Sequence, residues 1–150
     1  MMLHNAAQLK KKPTHANLRT INRRDFILKS MNKPISPAMH GAIDYGFLAT
    51  MLTAPSLLRL GRRARIVFAL FGITQGALNA LTDQPLSIKR LVSFRLHGAI
   101  EKSSGPVYLL VPVLAGIARA PRERAFWLTM GAILVTVYNL TDWNATNTNR

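Results

Sequence analysis

His40-Gly41-Ala42-Ile43-Asp44 returns further along the chain as His97-Gly98-Ala99-Ile100-Glu101, an offset of 57 residues. The same offset pairs Pro55 with Pro112 and Arg62 with Arg119. Beyond that point an offset of 59 pairs Arg65 with Arg124, Phe68 with Trp127, Gly72 with Gly131, and Leu81-Thr82-Asp83 with Leu140-Thr141-Asp142. Two extra residues in the second loop, between Arg119 and Arg124, account for the change of offset. Matches in a single register are the mark of internal duplication. The repeats run over about residues 35–83 and 94–142.

Four apolar runs fall inside this frame: Ala38 to Leu58, Ile66 to Leu81, Leu96 to Ala118 and Ala125 to Leu140. Ile66-Val67-Phe68-Ala69-Leu70-Phe71 and Tyr108-Leu109-Leu110-Val111-Pro112-Val113-Leu114 are apolar on every side of a helix, whereas a water-facing helix keeps its apolar residues on one stripe. Short connections force neighbouring helices antiparallel. The expected fold is therefore all-α: an integral membrane four-helix up-down bundle over residues 34–143, made of two tandem two-helix repeats. The first and third runs reach the roughly 20 residues that a bilayer demands. The second and fourth fall short, and need Arg65, Arg124, Asp83 and Asp142 to reach the interface. A repeat of two helices keeps its orientation, which sets the halves about a twofold axis along the membrane normal.

Charge follows the same segmentation. The 150 residues carry 20 Lys+Arg against 6 Asp+Glu, a formal net charge of +14. The basic residues sit between the apolar runs, a distribution that fits anionic lipid head groups rather than nucleic acid. A homo-oligomer is the other partner considered. Cysteine is absent, which excludes disulfides, thiol catalysis and zinc–thiolate sites.

Residues 1–33 read as a basic, disordered extension, and residues 144–150 as a polar tail. Arg23-Arg24 resembles a twin-arginine export signal, yet no apolar segment follows directly, and a basic juxtamembrane tail accounts for it as well. A translation start at Met31 is an alternative to Met1. Counted by basic residues near the helix ends, the amino terminus is expected on the cytoplasmic side of a bacterial inner membrane, with the protein multi-pass.

His40 and Asp44 lie four apart and share a helix face, as do His97 and Glu101. In an up-down bundle the starts of odd helices and the ends of even helices meet on one side. His40, Asp44, Asp83, His97, Glu101 and Asp142 should then gather there, with Gln75 and Asn79 on the second helix beside them. That cluster fits three functions: a structural lock between repeats, a proton or small-ligand site, and metal or haem ligation through His40, His97, Asp44 and Glu101. No catalytic residue is assigned and no cofactor is expected. The leading expectation is a non-enzymatic membrane protein. The alternatives are a metal- or haem-dependent redox subunit and an oligomeric transporter component.

Gly72-Ile73-Thr74-Gln75-Gly76 is a small-xxx-small pattern suited to close helix packing. Trp127, Tyr138 and Trp143 read as an aromatic belt.

Ile35-Ser36-Pro37, His40 to Tyr45, Ala54-Pro55, Leu81-Thr82-Asp83, Phe94 to Glu101 and Leu140 to Trp143 together resemble small bacterial four-helix membrane proteins related to the SPW-repeat family. The resemblance covers about residues 34–143. It implies an inner-membrane four-helix fold and carries no established activity. The Ser-Pro-Trp signature itself is degenerate here, as Ala54-Pro55-Ser56 and Val111-Pro112-Val113.

Overall fold

The computed structural model of the chain describes residues 33–145. The export-like Arg23-Arg24, the Met31 start, the extension over residues 1–32 and the tail beyond residue 145 lie outside them.

Four helices follow one another: α1 (Pro37–Leu57), α2 (Arg62–Ala80), α3 (Phe94–Leu114) and α4 (Pro121–Leu140), with a 3-10 turn at Ile117–Arg119 before α4. The duplication is visible in how they begin and end. The Ser36 hydroxyl accepts from the Met39 amide at 3.3 Å. Ser93, its equivalent, accepts from Leu96 at 3.2 Å. Each thereby satisfies a first-turn donor that the helix cannot. The C-termini of α1 and α3 close on a residue in the left-handed region, Arg59 at φ 53° and Gly116 at φ 73°. The next residue in each case, Leu60 or Ile117, is buried in the core.

The repeats are laced together crosswise by two isolated parallel β-bridges, Ile35 with Thr141 and Thr82 with Val92. Asp142 donates its amide to the Ile35 carbonyl at 3.0 Å, and Asp83 donates to Val92 at 2.7 Å. Each segment leading into an odd helix is thus pinned by the end of the other repeat's even helix.

Within the first repeat α1 and α2 approach closely. A Cβ on Gly72 would lie 2.7 Å from the Met51 Cβ, and one on Gly76 2.6 Å from Leu48 Cδ2. The glycine pattern therefore works inside the bundle. The core joins Phe47, Met51, Leu60, Ala64, Phe68, Ile117, Trp127 and Met130. Phe68 stacks obliquely on Phe126 of α4, and Phe71 on Tyr108 of α3, both at 5.0 Å between centroids.

The expectation of an integral membrane bundle is corrected here. Among the described residues no helix is long and apolar enough to cross a membrane. The reason lies in the charged and polar residues that fall within the helices. α2 begins four residues earlier than expected, at Arg62, and so contains Arg62, Arg63 and Arg65. α4 takes in Arg122, Glu123 and Arg124. α3 carries Glu101-Lys102-Ser103-Ser104 near its middle. The unbroken apolar lengths that remain fall short of the roughly 20 residues needed. The outward surface is still rich in aliphatic side chains, with Leu70, Leu110 and Val135 each more than half exposed.

Trp127 and Trp143 likewise depart from the belt expected of them. Trp127 is buried and exchanges hydrogen bonds with Tyr108, its indole N–H donating to the Tyr108 carbonyl at 3.1 Å and the Tyr108 hydroxyl to the Trp127 carbonyl at 3.0 Å. Trp143 belongs to the site described next.

Candidate metal centre

His40 and His97 meet where the crossed repeats converge, their ring centroids 5.2 Å apart and both side chains fully buried. Their orientation is set by threonines that close the even helices. The Thr141 hydroxyl donates to the Val137 carbonyl at 2.7 Å, and the Thr82 hydroxyl to the Leu78 carbonyl at 2.7 Å. A hydroxyl has one proton. Each oxygen therefore accepts from the imidazole beside it: His40 Nδ1 donates to Thr141 Oγ1 at 2.9 Å, and His97 Nδ1 to Thr82 Oγ1 at 2.7 Å. With Nδ1 carrying hydrogen, the neutral ring turns the Nε2 lone pair inward.

Both lone pairs face the same carboxylate oxygen. Asp44 Oδ2 lies 3.4 Å from His40 Nε2 and 3.4 Å from His97 Nε2. Glu101 Oε2 lies 3.7 Å from His40 Nε2. All four atoms are buried and none has a hydrogen-bond partner among the described residues. Buried polar atoms are normally satisfied, so a cluster of four that are not is a signal of its own.

Above the pair sits an aromatic lid. Trp143 lies edge-on to His40 at 4.6 Å and stacks on His97 at 5.9 Å, with Phe94 beside it at 4.9 Å. Gly98 makes this possible, since a Cβ there would come within 2.6 Å of the indole. Gly41, in the corresponding place, leaves room for buried Gln84, whose side chain would sit 2.5 Å from such a Cβ. On the far side, Gln75 Nε2 reaches Glu101 Oε1 at 3.4 Å. Both residues line a cavity of about 910 Å³ between the helices, together with Tyr108, Trp127 and Asn139.

Electrostatics separates the two acids. Burial pushes the Asp44 carboxyl up, but hydrogen bonds and positive charge from the protonated forms of the His40 and His97 rings outweigh it and hold the group below its usual 3.8. Burial dominates at Glu101 and, with help from the Asp44 charge, raises it to about 7, against the opposing pull of His40 and Gln75.

Of the residues expected to gather here, the structure brings together His40, Asp44, His97, Glu101 and Gln75. Asn79 stands one layer away, its amide donating to the Gly41 carbonyl at 2.9 Å. Asp83 pairs with Arg90 at 3.5 Å. The Asp142 carboxylate accepts from the Asn144 amide at 3.1 Å. The amides of both hold the bridges between the repeats. Thr82, Thr141 and the lid residue Trp143 went unassigned to the site. The signal for them was the Leu-Thr-Asp triplet repeated at both even-helix ends, one residue before Gln84 or Trp143.

Comparison of the chain with known protein families, curated proteins and solved structures gives no match. The likeness to the SPW-repeat group thus rests on its motif residues alone. His40, Asp44 and His97 each bring a donor atom within 4.8 Å of the other two, close enough to share one ion.

Proposed function

We infer that the chain is a metal-binding four-helix protein, holding one divalent transition ion between His40 Nε2, His97 Nε2 and Asp44, with Glu101 completing the set. The observation that carries this is the pair of buried, unpartnered Nε2 atoms converging on one Asp44 oxygen. Two lone pairs facing a carboxylate repel unless a cation lies between them. A shared proton fits the distances poorly, because charge-assisted N–H···O bonds close to about 2.7–2.9 Å. Ligand atoms bound at about 2.0–2.1 Å to a tetrahedral ion stand about 3.3–3.4 Å apart. The two His–Asp44 separations of 3.4 Å match the ion, and Glu101 stands further out at 3.7 Å.

Other considerations agree. Ligating histidines typically donate their second N–H to a fixed acceptor, as both do to threonine. Two carboxylates and a divalent ion are neutral together, which removes the cost of burying bare charge. A His₂-carboxylate set without thiolate suits zinc, iron or manganese, and the tetrahedral spacing puts zinc first. A purely structural lock between repeats is less well supported, since it would leave all four buried atoms without partners. Glu101, the most distant donor and the one lining the cavity, is the ligand that can yield its position to an incoming group.

The test is elemental analysis of the purified chain, followed by calorimetric titration of the chelator-stripped protein with Zn²⁺, Fe²⁺ and Mn²⁺. One ion per chain is expected, with affinity reduced at least 100-fold in His40→Ala and in His97→Ala. Undiminished binding by the double substitution His40→Ala/His97→Ala would remove the centre from these residues.

A further inference from the structure

At the end of the bundle away from the histidines, seven arginines crowd in and around the two interhelix loops. Arg59, Arg62, Arg63 and Arg65 lie at the α1–α2 turn, and Arg119, Arg122 and Arg124 at the entry to α4; all seven are exposed. The two loops form one surface. The Gly61 amide donates to Glu123 Oε1 at 3.0 Å across them, and Leu60 and Ile117 beneath them enter the same core. Glu123 is the lone acid in these loops, and no ion pair among the described residues engages any of the arginines. The same end exposes leucines: Leu57 is 80% exposed, Leu58 51% and Leu114 82%.

Arg59 sharpens the point. It occupies the left-handed closing position of α1, where the second repeat has Gly116. An L-residue there carries a strain of the kind that persists chiefly where something else requires the side chain.

We propose that this arginine–leucine end docks on an anionic lipid surface, as a contact with head groups and the outermost acyl layer. Guanidinium groups bind phosphate oxygens in a bidentate manner. Exposed leucines at the same end have a place to go in a lipid interface and none on the phosphate backbone of a nucleic acid. Paired equivalents from both repeats, Leu57 with Leu114 and Arg62 with Arg119, give a two-lobed footprint.

The full-length chain is floated with vesicles of phosphatidylcholine alone and with vesicles containing one third phosphatidylglycerol. Capture by the anionic vesicles that falls as salt rises is expected. Arg62→Gln, Arg63→Gln and Arg122→Gln should each weaken it about fivefold. Arg59→Gly serves as the variant that cannot be dismissed as misfolded, because it relieves backbone strain while removing a charge; it should bind about fivefold more weakly and melt no lower. Capture that is equal on the uncharged vesicles overturns the proposal. So does capture that survives these substitutions but disappears in Lys10→Gln/Lys11→Gln/Lys12→Gln. Tight binding to a duplex oligonucleotide with no capture by anionic vesicles overturns it in favour of nucleic acid.

Discussion

Thr82 and Thr141 do more than end helices. A histidine free to choose its tautomer presents a mixture of donors and acceptors, and the site needs both Nε2 atoms to be acceptors. The hydroxyls enforce this because their own protons are committed to Leu78 and Val137. Valine is nearly isosteric with threonine but cannot accept. Thr82→Val or Thr141→Val should leave helix content unchanged and lower zinc affinity about 10- to 100-fold, as loss of an outer partner commonly does. Calorimetric titration beside circular dichroism checks it; wild-type affinity in both variants would show that the threonines do not govern the tautomer. Part of this was legible from residues alone. The repeated His-x-x-x-acid placed His40, Asp44, His97 and Glu101 correctly, since helical spacing of four fixes a shared face. The threonines were not, because a hydroxyl at a helix end has an adequate local acceptor. Its second role depends on a partner 101 residues away for Thr141 and 15 for Thr82.

At the scale of helices and turns, the apolar runs gave the number and order of elements, and their limits were set by other physics. α1 ends at Leu57, one residue before its apolar run does, and α4 ends at Leu140 as its run does. α2 and α4 start inside arginine-rich stretches because arginine is a good helix former and the first turn can lie in solvent. That extension counts against a membrane span in α2 and α4, as the polar residues His40, Asp44, His97, Glu101 and Lys102 do within α1 and α3. The turns after α1 and α3 follow one plan, with an amide three residues past the helix reaching back in α1, Leu60 to Pro55 at 2.9 Å. Such closures favour glycine at the left-handed residue. Close approach by glycine matters at a second place. Gly98→Ala would drive a methyl into the Trp143 ring, a rigid group with little room to retreat. A loss of about 1–3 kcal/mol is expected, the usual range for overpacking. Chemical denaturation measures it, and a shift in indole fluorescence should accompany it as the ring leaves His97. Stability equal to wild type would mean that the lid is loosely seated.

For the whole molecule, duplication explains why one end gathers the histidines and acids and the other the arginines: each repeat contributes equivalent positions to the same end. It also explains why the site is not symmetric. Two histidines come from equivalent positions, but Asp44 reaches both while Glu101, one methylene longer, lies nearest His40. That asymmetry leaves the two acids with opposite shifts, and it sets the pH behaviour of the chain. Glu101 in the metal-free fold is raised to about 7 from 4.5, with His40, Asp44 and Gln75 facing it. The folded state therefore holds this proton more tightly than the unfolded chain. Between pH 4.5 and 7 this group makes stability fall as pH rises, by at most about 3 kcal/mol across the window. Asp44 acts with the opposite sign, adding stability above 3.8 that is lost as pH drops further. It is therefore silent in the Glu101 window. Zinc reverses the trend, because the ion requires the deprotonated carboxylate and displaces the proton. Melting temperature followed from pH 5 to pH 8 should decline in chelator and climb with excess Zn²⁺. In Glu101→Gln the chelator profile should lose the Glu101-dependent decline. A wild-type chelator curve that matches the Glu101→Gln curve throughout would show that Glu101 is already ionised in the metal-free fold.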